Sequence, residues 1–278
     1  MDDDGWVTIK GTHVLLQNGV AVGGGKLSGM TFSNAKSTKS KPKDSGANDP
    51  GFQSFKKYTY RPELGLDLDK ISQVKVNKLD RKLSEDEIIN KVAGLDNGEG
   101  GGSCTSLALA YVANEAGLDV LDFRGGDSRN FFSNTGVAIS LSLMGAKVLR
   151  VKHTDDFVAT HKLLNGMELN KESILTTGEH TAVVRRTGKK SWEYLELQGH
   201  KKEENGWQKL TDESLYYRFN AQSTYMSLLF TGGEKVREPA TSALIDVESL
   251  GKCAGFSELM SYINTTPGNQ KKGTYGTK

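Results

Sequence analysis

One helix in the middle of the chain limits what this sequence can fold into. Residues 104–116, CTSLALAYVANEA, are apolar on nearly every side, follow the run GGGS and stop before Gly117. A helix that is apolar all round has to be covered by other elements on all its sides. The chain is therefore predicted to fold around this segment as a central, buried helix.

Size and composition fit a globular protein and exclude several other classes. The chain has 278 residues, with 36 Lys and Arg against 34 Asp and Glu. No run approaches the roughly 20 apolar residues that span a bilayer, and a formal charge of +2 favours neither nucleic acid nor a membrane surface as partner. The start, MDDDGWVTIK, shows no signal peptide. Two cysteines and the absence of HExxH and CxxC motifs predict no metal and no other cofactor.

Composition divides the chain into four parts. Residues 1–25 contain WVTIKGTHVLLQNGVAV, whose alternating pattern around the turn signal NG predicts a β-hairpin module. Residues 26–65 are rich in Gly, Ser, Lys and Asn, which predicts a flexible linker. Residues 66–237 are predicted to form the main folded domain, and residues 238–278 a C-terminal helix with a disordered tail.

The main domain is predicted to be α+β. Ser84 and Glu87 have the spacing of a capping box, which opens a helix that Gly94 can end. HTAVVRR at 180–186 and WEYLELQ at 192–198 predict two strands of a hairpin. We therefore expect the buried helix to pack against an antiparallel sheet that contains these strands.

Cys104 is the first candidate for chemistry, because it stands at the predicted start of the buried helix. Free N–H groups and the positive end of a helix stabilise a thiolate, which lowers a cysteine pKa and favours nucleophilic attack. The glycines before Cys104 would let a substrate backbone approach closely. A small buried cysteine that packs as an apolar core residue fits the same position.

A nucleophilic cysteine needs a base, and His180 is the best placed of five histidines. It opens the first strand of the predicted hairpin, and a base on a strand end beside a helix start is an arrangement that cysteine hydrolases use. The other four histidines are predicted to lie at the surface: His13, His153, His161 and His200.

The next strand offers two residues that would orient the imidazole. If residue 186 pairs with residue 192, Gln198 lies opposite His180 and Glu196 is its diagonal neighbour on the same face. Either side chain would hold the imidazole tautomer by a hydrogen bond, and the other would be left to assist the developing oxyanion. Two polar residues that solvate an exposed sheet face are the simpler interpretation.

Three further residues are candidates for contact with a substrate. Gly102 and Ser103 directly precede Cys104, and Arg124 opens the stretch RGGDSR after the helix. This stretch has the residue types that bind a phosphate or a carboxylate. A turn that shapes one wall of the cleft explains it equally, and we favour the turn.

The order of a cysteine on a helix, a histidine on a strand and a polar residue on the next strand is that of papain-fold hydrolases. The stretches GGSCTSLALAYVANEAGLDVLDFRGG, GEHTAVVRR and EYLELQGHKKEENGWQKL resemble papain-fold toxin domains of bacterial polymorphic-toxin and phage-encoded systems, over about residues 84–220. The resemblance implies a papain-like fold, Cys104 as nucleophile, His180 as base, and the acidic-x-Gln pattern of the family on Glu196 and Gln198. The acidic residue is usually Asp in that family and is Glu here.

The N-terminal stretch WVTIKGTHVLLQNGVAVGGG resembles a short module near the C-termini of phage minor head proteins. That similarity implies a phage or prophage product, with capsid or portal components as partners. A toxin of this kind also has an immunity protein as a possible partner. Its location would be the virion or the host cytoplasm.

Together these features predict a cysteine hydrolase that acts on an amide of a protein substrate. Peptide-bond cleavage and glutamine deamidation share their chemical steps, and the sequence does not separate them. Transfer of the acyl group to an amine uses the same residues. The alternative from another class is a non-catalytic virion or head-assembly component that uses a papain-like shell for binding.

Overall fold

The computed structural model describes residues 6–9, 12–17, 20–23, 46–95, 102–223 and 238–275. The chain divides into two compact units, Met1–Lys43 and Asp44–Lys278. None of the described helices combines the length and the apolar character that crossing a bilayer requires.

The first unit contains a three-stranded antiparallel sheet. Its strands are β1 (Trp6–Ile9), β2 (Thr12–Gln17) and β3 (Val20–Gly23), in the order β1-β2-β3. The predicted hairpin corresponds to β2 and β3, where Gln17 pairs with Val20; the turn residues between them lie outside the described part. The sequence pattern does not predict β1 as a strand of its own. Three strands are more stable than two.

The second unit is built on a six-stranded sheet in which every neighbouring pair is antiparallel. Two further short strands pair with each other, β4 (Asn77–Lys78) and β5 (Leu118–Asp119). The strands of the large sheet are β6 (Val148–His153), β7 (Glu172–Thr177), β8 (His180–Gly188), β9 (Ser191–Glu196), β10 (Gly206–Lys209) and β11 (Ala240–Asp246). Their order across the sheet is β10-β9-β8-β7-β11-β6. The predicted α+β class with an antiparallel sheet is confirmed.

Helices cover this sheet. They are α1 (Pro50–Thr59), α2 (Glu85–Val92), α3 (Cys104–Glu115), α4 (Gly126–Phe132), α5 (Thr135–Ile139), α6 (Asp156–Asn165), α7 (Asp212–Tyr217), α8 (Val247–Gly251) and α9 (Phe256–Ser261). Short 3-10 helices lie at Gly46–Asn48, Pro62–Leu64, Leu68–Lys70, Ser140–Met144, Lys202–Glu204 and Pro267–Asn269. The predicted capping box opens α2, because Ser84 Oγ accepts from Glu87 N–H and Glu87 Oε2 accepts from Ser84 N–H. That helix ends at Val92, two residues before Gly94.

Both faces of the large sheet are buried. Adjacent residues of a strand point to opposite faces, and on β8 Val183 joins the apolar cluster around α3 while Val184 joins a second cluster with Leu163 and Leu164 of α6. Every residue of α3 from Thr105 to Asn114 is buried. The prediction of a central helix that is covered on all sides is confirmed.

The predicted linker at 26–65 is wrong in its second half. Residues 50–59 form α1, whose Phe52 and Phe55 are buried in the main core. Asp49 caps this helix by accepting from Phe52 N–H at 2.9 Å, and Pro50 occupies its first turn. Lysine and serine are frequent in residues 26–65, and these few apolar positions change the overall composition little. Composition alone therefore predicts a linker.

The predicted boundaries of the main domain, 66 and 237, are also wrong. The compact unit runs from Asp44 to Lys278, and Ala240–Asp246 is an inner strand of the sheet, between β7 and β6. The expected disordered tail is tied down as far as it is described: Lys271 N–H donates to Phe123 O at 2.8 Å, and Gly273 N–H donates to Leu95 O at 3.0 Å. Main-chain hydrogen bonds hold this segment, and a composition without an apolar pattern does not reveal them.

Candidate active site

Cys104 is the first residue of α3, as predicted. Ser103 is the N-cap, with its Oγ 3.0 Å from the N–H of Ser106, and Ser106 Oγ accepts in return from Ser103 N–H at 2.8 Å. This reciprocal cap fixes the backbone on both sides of Cys104. The cysteine side chain is half-buried and unpaired with the second cysteine, Cys253.

His180 is the first residue of β8, where it pairs with Thr177 of β7 across a tight turn. The turn contains Gly178 at φ +56, and a Cβ at this glycine would collide with the carbonyl oxygen of Phe219. The His180 ring packs edge-on against the Phe219 ring, with centroids 4.9 Å apart, and the residue is 6% exposed. The turn at Gly178 and the ring of Phe219 therefore fix the position of the His180 imidazole.

The structure brings Cys104 and His180 to one pocket. The residues that follow them are in direct contact, since Thr105 donates from Oγ1 to Thr181 Oγ1 at 3.2 Å. A small cavity of about 10 Å³, roughly the room that one water molecule needs, is lined by both candidate residues together with Glu196 and Gln198. The four predicted catalytic residues thus line one cavity although Cys104 is far from the other three in the sequence.

Glu196 is held by an arginine that the sequence did not point to. Arg218, directly after α7, donates to both carboxylate oxygens, with Nη2 2.7 Å from Oε1 and Nε bonded to Oε2. Gln198 N–H adds a third hydrogen bond to Glu196 Oε1 at 2.8 Å. Among the described contacts, Glu196 makes no hydrogen bond to His180 and acts on it only through its charge. The described contacts therefore do not include the predicted hydrogen bond by which Glu196 would orient the His180 imidazole.

Gln198 contacts the loop before the nucleophile. Its Nε2 donates to Gly102 O at 3.0 Å. The predicted register of β8 and β9 is confirmed where these strands pair, with Arg186 opposite Trp192 and Val184 opposite Tyr194. The strand β9 ends at Glu196, so Gln198 lies beyond it and reaches across to the loop that precedes α3.

The three predicted substrate-contacting residues have separate places. The carbonyl oxygen of Gly102 accepts a hydrogen bond from Gln198, and the Cα of Gly102 lies close to the carboxyl group of Asp122. A Cβ at Gly102 would lie 2.5 Å from Asp122 Oδ2. Ser103 uses its side chain in the helix cap. Arg124 does not line the pocket: its guanidinium donates to Ser72 Oγ at 2.6 Å and to Tyr262 O at 3.1 Å, as well as to neighbouring carbonyls. Arg124 thus joins two peptide segments, and its contact with a substrate stays a prediction.

Thiol and imidazole are both neutral in this structure near pH 7. Burial raises the pKa of Cys104, although the N–H groups of Thr181 and Thr105 and the cation of Arg218 favour the thiolate. Burial also lowers the pKa of His180 to about 3, with a further contribution from the Arg218 charge. The expected low thiol pKa at a helix start is wrong here, because desolvation outweighs the helix N-terminus.

Asp122 is a second residue that sequence reasoning missed. It is 1% exposed and accepts a hydrogen bond from Ser106 Oγ at 2.5 Å, beneath the cap of α3. Burial raises its pKa to about 7. The only sequence signal was an acidic residue within the apolar stretch LDVLDF, which a surface position explains equally well.

The remaining histidines that can be described lie away from the pocket. His153 accepts from Asp155 N–H at 2.9 Å, His161 contacts Asp212 at 2.8 Å, and His200 is exposed. The side chain of His13 lies outside the described part. Across the described residues no group of three or more His, Cys, Asp or Glu side chains is arranged to hold a metal ion.

No family model, no curated protein and no solved structure matches this chain. The function therefore has to be inferred from the chemistry of the site.

Proposed function

We propose that this protein is a cysteine hydrolase of the papain type that acts on an amide of a protein substrate. The observation that carries the proposal is that Cys104, at the start of a buried helix, shares a pocket with His180, at the start of a neighbouring strand. The hydrogen bond between Thr105 and Thr181 holds these two chain segments together.

Because both groups are neutral, the reaction would begin with proton transfer from the thiol to the imidazole and not from a preformed thiolate–imidazolium pair. His180 accepts the proton of the Cys104 thiol while the sulfur attacks the amide carbonyl carbon and forms a C–S bond. The tetrahedral oxyanion would be stabilised by backbone N–H groups at the start of α3, which the helix itself leaves without partners. His180 then returns the proton to the amine or ammonia as the C–N bond breaks.

Water completes the cycle. His180 accepts a proton from the water, whose oxygen forms a C–O bond with the thioester carbon. The C–S bond then breaks, the acid product leaves, and His180 returns the proton to the Cys104 sulfur. Arg218 would stabilise negative charge on the sulfur during these steps, because its cation acts on Cys104 and its position is fixed by Glu196. A target in a host or competitor, an immunity protein and an association with a phage head are proposals that rest on the sequence resemblance alone.

A second candidate is a non-catalytic binding protein with the same shell. The observation that favours it is the pairing of Glu196 with Arg218, because in the described contacts the imidazole donates no hydrogen bond to that carboxylate. A hydrolase normally orients its histidine by such a bond.

Turnover of a protein substrate tests the proposal. The full-length chain is incubated with a mixture of unfolded proteins, and mass spectrometry follows peptide cleavage and conversion of glutamine to glutamate. We expect one of these products with the wild type and with Cys253→Ala, and neither with Cys104→Ala or His180→Ala. Products that persist in Cys104→Ala would overturn the proposal, and binding without any product from the wild type would favour the second candidate.

A further inference from the structure

The carboxyl group of Asp122 lies directly beneath the start of the nucleophile helix. Its Oδ2 is 2.5 Å from Ser106 Oγ. Gly102 packs on it so closely that a Cβ there would lie 2.5 Å from Oδ2. Asp122 therefore supports the two residues that precede Cys104.

Ser106 connects Asp122 to the helix cap. Its Oγ accepts from Ser103 N–H at 2.8 Å and from Ser103 Oγ at 3.1 Å, and it lies 3.0 Å from Ser103 O. A hydroxyl group has one proton to donate and two lone pairs to accept with. With Asp122 ionised, Ser106 Oγ donates its proton to Asp122 and accepts two hydrogen bonds from Ser103. The hydroxyl proton and both lone pairs then each make one hydrogen bond.

Protonation of Asp122 breaks this balance. An acid that carries its proton on Oδ2, the oxygen bonded to Ser106, would donate to Ser106 Oγ, which would then receive three donors on two lone pairs. In that form one hydrogen bond from Ser103 is lost, and the Ser106 hydroxyl turns to Ser103 O, which lies 3.0 Å away. Because Ser103 is the N-cap and directly precedes Cys104, the change falls on the backbone that positions the sulfur.

We propose that Asp122 is a positioning residue for Cys104, and that its ionisation completes the cap from which the nucleophile helix starts. This inference rests on the proposed function, since it assigns Asp122 to the hydrolase site. Phe123 supports it independently: at φ +61 it adopts a left-handed conformation that a bulky residue rarely takes, and such strain is concentrated at functional sites.

The burial of Asp122 leads us to expect that its carboxyl group ionises near neutral pH. Burial raises the pKa of Asp122 to about 7, and the opposing groups are the Ser106 hydroxyl, two backbone N–H groups and the Arg124 cation. The titratable groups that line the neighbouring pocket are Cys104, His180 and Glu196. The cap is therefore expected to change between about pH 6 and pH 8.

The pH profile of Cys104 alkylation by iodoacetamide tests the inference in the full-length chain. In the wild type we expect a step near pH 7, of roughly fivefold for one hydrogen bond, superimposed on the titration of the thiol. The step should be lost in Asp122→Asn, which cannot ionise, and in Ser106→Ala, which removes the connecting hydroxyl. Asp127→Asn, an exposed acidic residue on α4, is the matched control and should retain the step.

Carboxyl and amide NMR signals separate this inference from the proposed function. We expect the Asp122 carboxyl and the Ser103 and Ser106 amides of the wild type to titrate together, whether or not Cys104 reacts as a nucleophile. Titration of Asp122 without movement of those amides, or superimposable alkylation profiles of the wild type and Asp122→Asn, would overturn the inference and leave the hydrolase proposal intact. If a variant fails to fold, the wild-type titration alone decides.

Discussion

Thr105 and Thr181 share a buried hydrogen bond of 3.2 Å between their hydroxyl oxygens. Thr105 follows Cys104 and Thr181 follows His180, so this contact connects the two proposed catalytic residues through their nearest neighbours. Thr181 Oγ1 is also 3.0 Å from Thr176 Oγ1 of β7. A short chain of hydroxyl groups thus fixes the start of α3 against the edge of the turn that carries His180.

Thr181→Val tests this connection. The change removes one hydroxyl and leaves those of Thr105 and Thr176 buried with fewer partners, so we expect a loss of about 1–3 kcal/mol in the free energy of unfolding. Alkylation of Cys104 should also slow. Thr187→Val, at an exposed threonine of the same strand, is the control and should change neither measurement. Urea unfolding and thiol alkylation give the two values, and an unaffected Cys104 would contradict the connection.

Arg218→Ala should be costly because it leaves the buried carboxylate of Glu196 without its cation. Glu196 is 5% exposed, and breaking a buried ion pair from one side costs about 3–5 kcal/mol. Since about a third of the Arg218 side chain reaches solvent, we expect a value at the low end of that range, measured by urea unfolding.

Two other variants show whether the buried charge causes this loss. Arg218→Ala combined with Glu196→Gln should lose less stability than Arg218→Ala alone, because the unpaired charge is gone. Arg81→Ala breaks an exposed pair with Glu87 that solvent screens, and should cost far less than Arg218→Ala. Equal losses in Arg218→Ala and Arg81→Ala would contradict the assigned importance of the Glu196–Arg218 pair.

Gly178→Ala should displace His180. Gly178 has φ +56, and its added Cβ would meet the backbone of Phe219 and Ala221. Gly65→Ala is a matched control, because Gly65 has φ +72 but no atom within 4 Å of the added Cβ. The left-handed conformation alone costs about 1–2 kcal/mol, so Gly65→Ala should lose about this amount and Gly178→Ala clearly more. Similar losses in urea unfolding would mean that the turn has room for a side chain.

The sequence predicted the parts of the site that depend on local patterns. The apolar stretch between GGGS and Gly117 located α3, and the short loop after Arg186 set the register that placed Glu196 near the pocket. Arg218 was not predictable, because a single arginine after a short helix carries no sign of a partner 22 positions earlier in the chain. Asp122 was missed for a related reason: burial of a lone carboxyl depends on tertiary packing that a strand-like pattern does not report.

The pH dependence of stability checks the buried state of Asp122. Its pKa is raised from 3.8 to about 7, so the folded protein holds this proton more tightly than the unfolded chain. The contribution of Asp122 to stability is therefore complete below about pH 4 and is lost as the pH rises to about 7, by about 1.4 kcal/mol per pH unit. Asp122→Asn lacks this loss, and its stability relative to the wild type should increase from pH 5 to pH 8 in urea unfolding. A constant difference would show that Asp122 has an ordinary pKa.

The rate of Cys104 alkylation with and without His180 tests the central claim most directly. Iodoacetamide is applied to the full-length chain at pH 8, and the modification of Cys104 and Cys253 is read separately from their peptides. If His180 is the base for Cys104, the wild type modifies Cys104 faster than Cys253, and His180→Ala slows Cys104 while Cys253 is unchanged. Equal rates at the two cysteines, or a Cys104 rate that does not respond to the loss of His180, would contradict the nucleophile and base assignment.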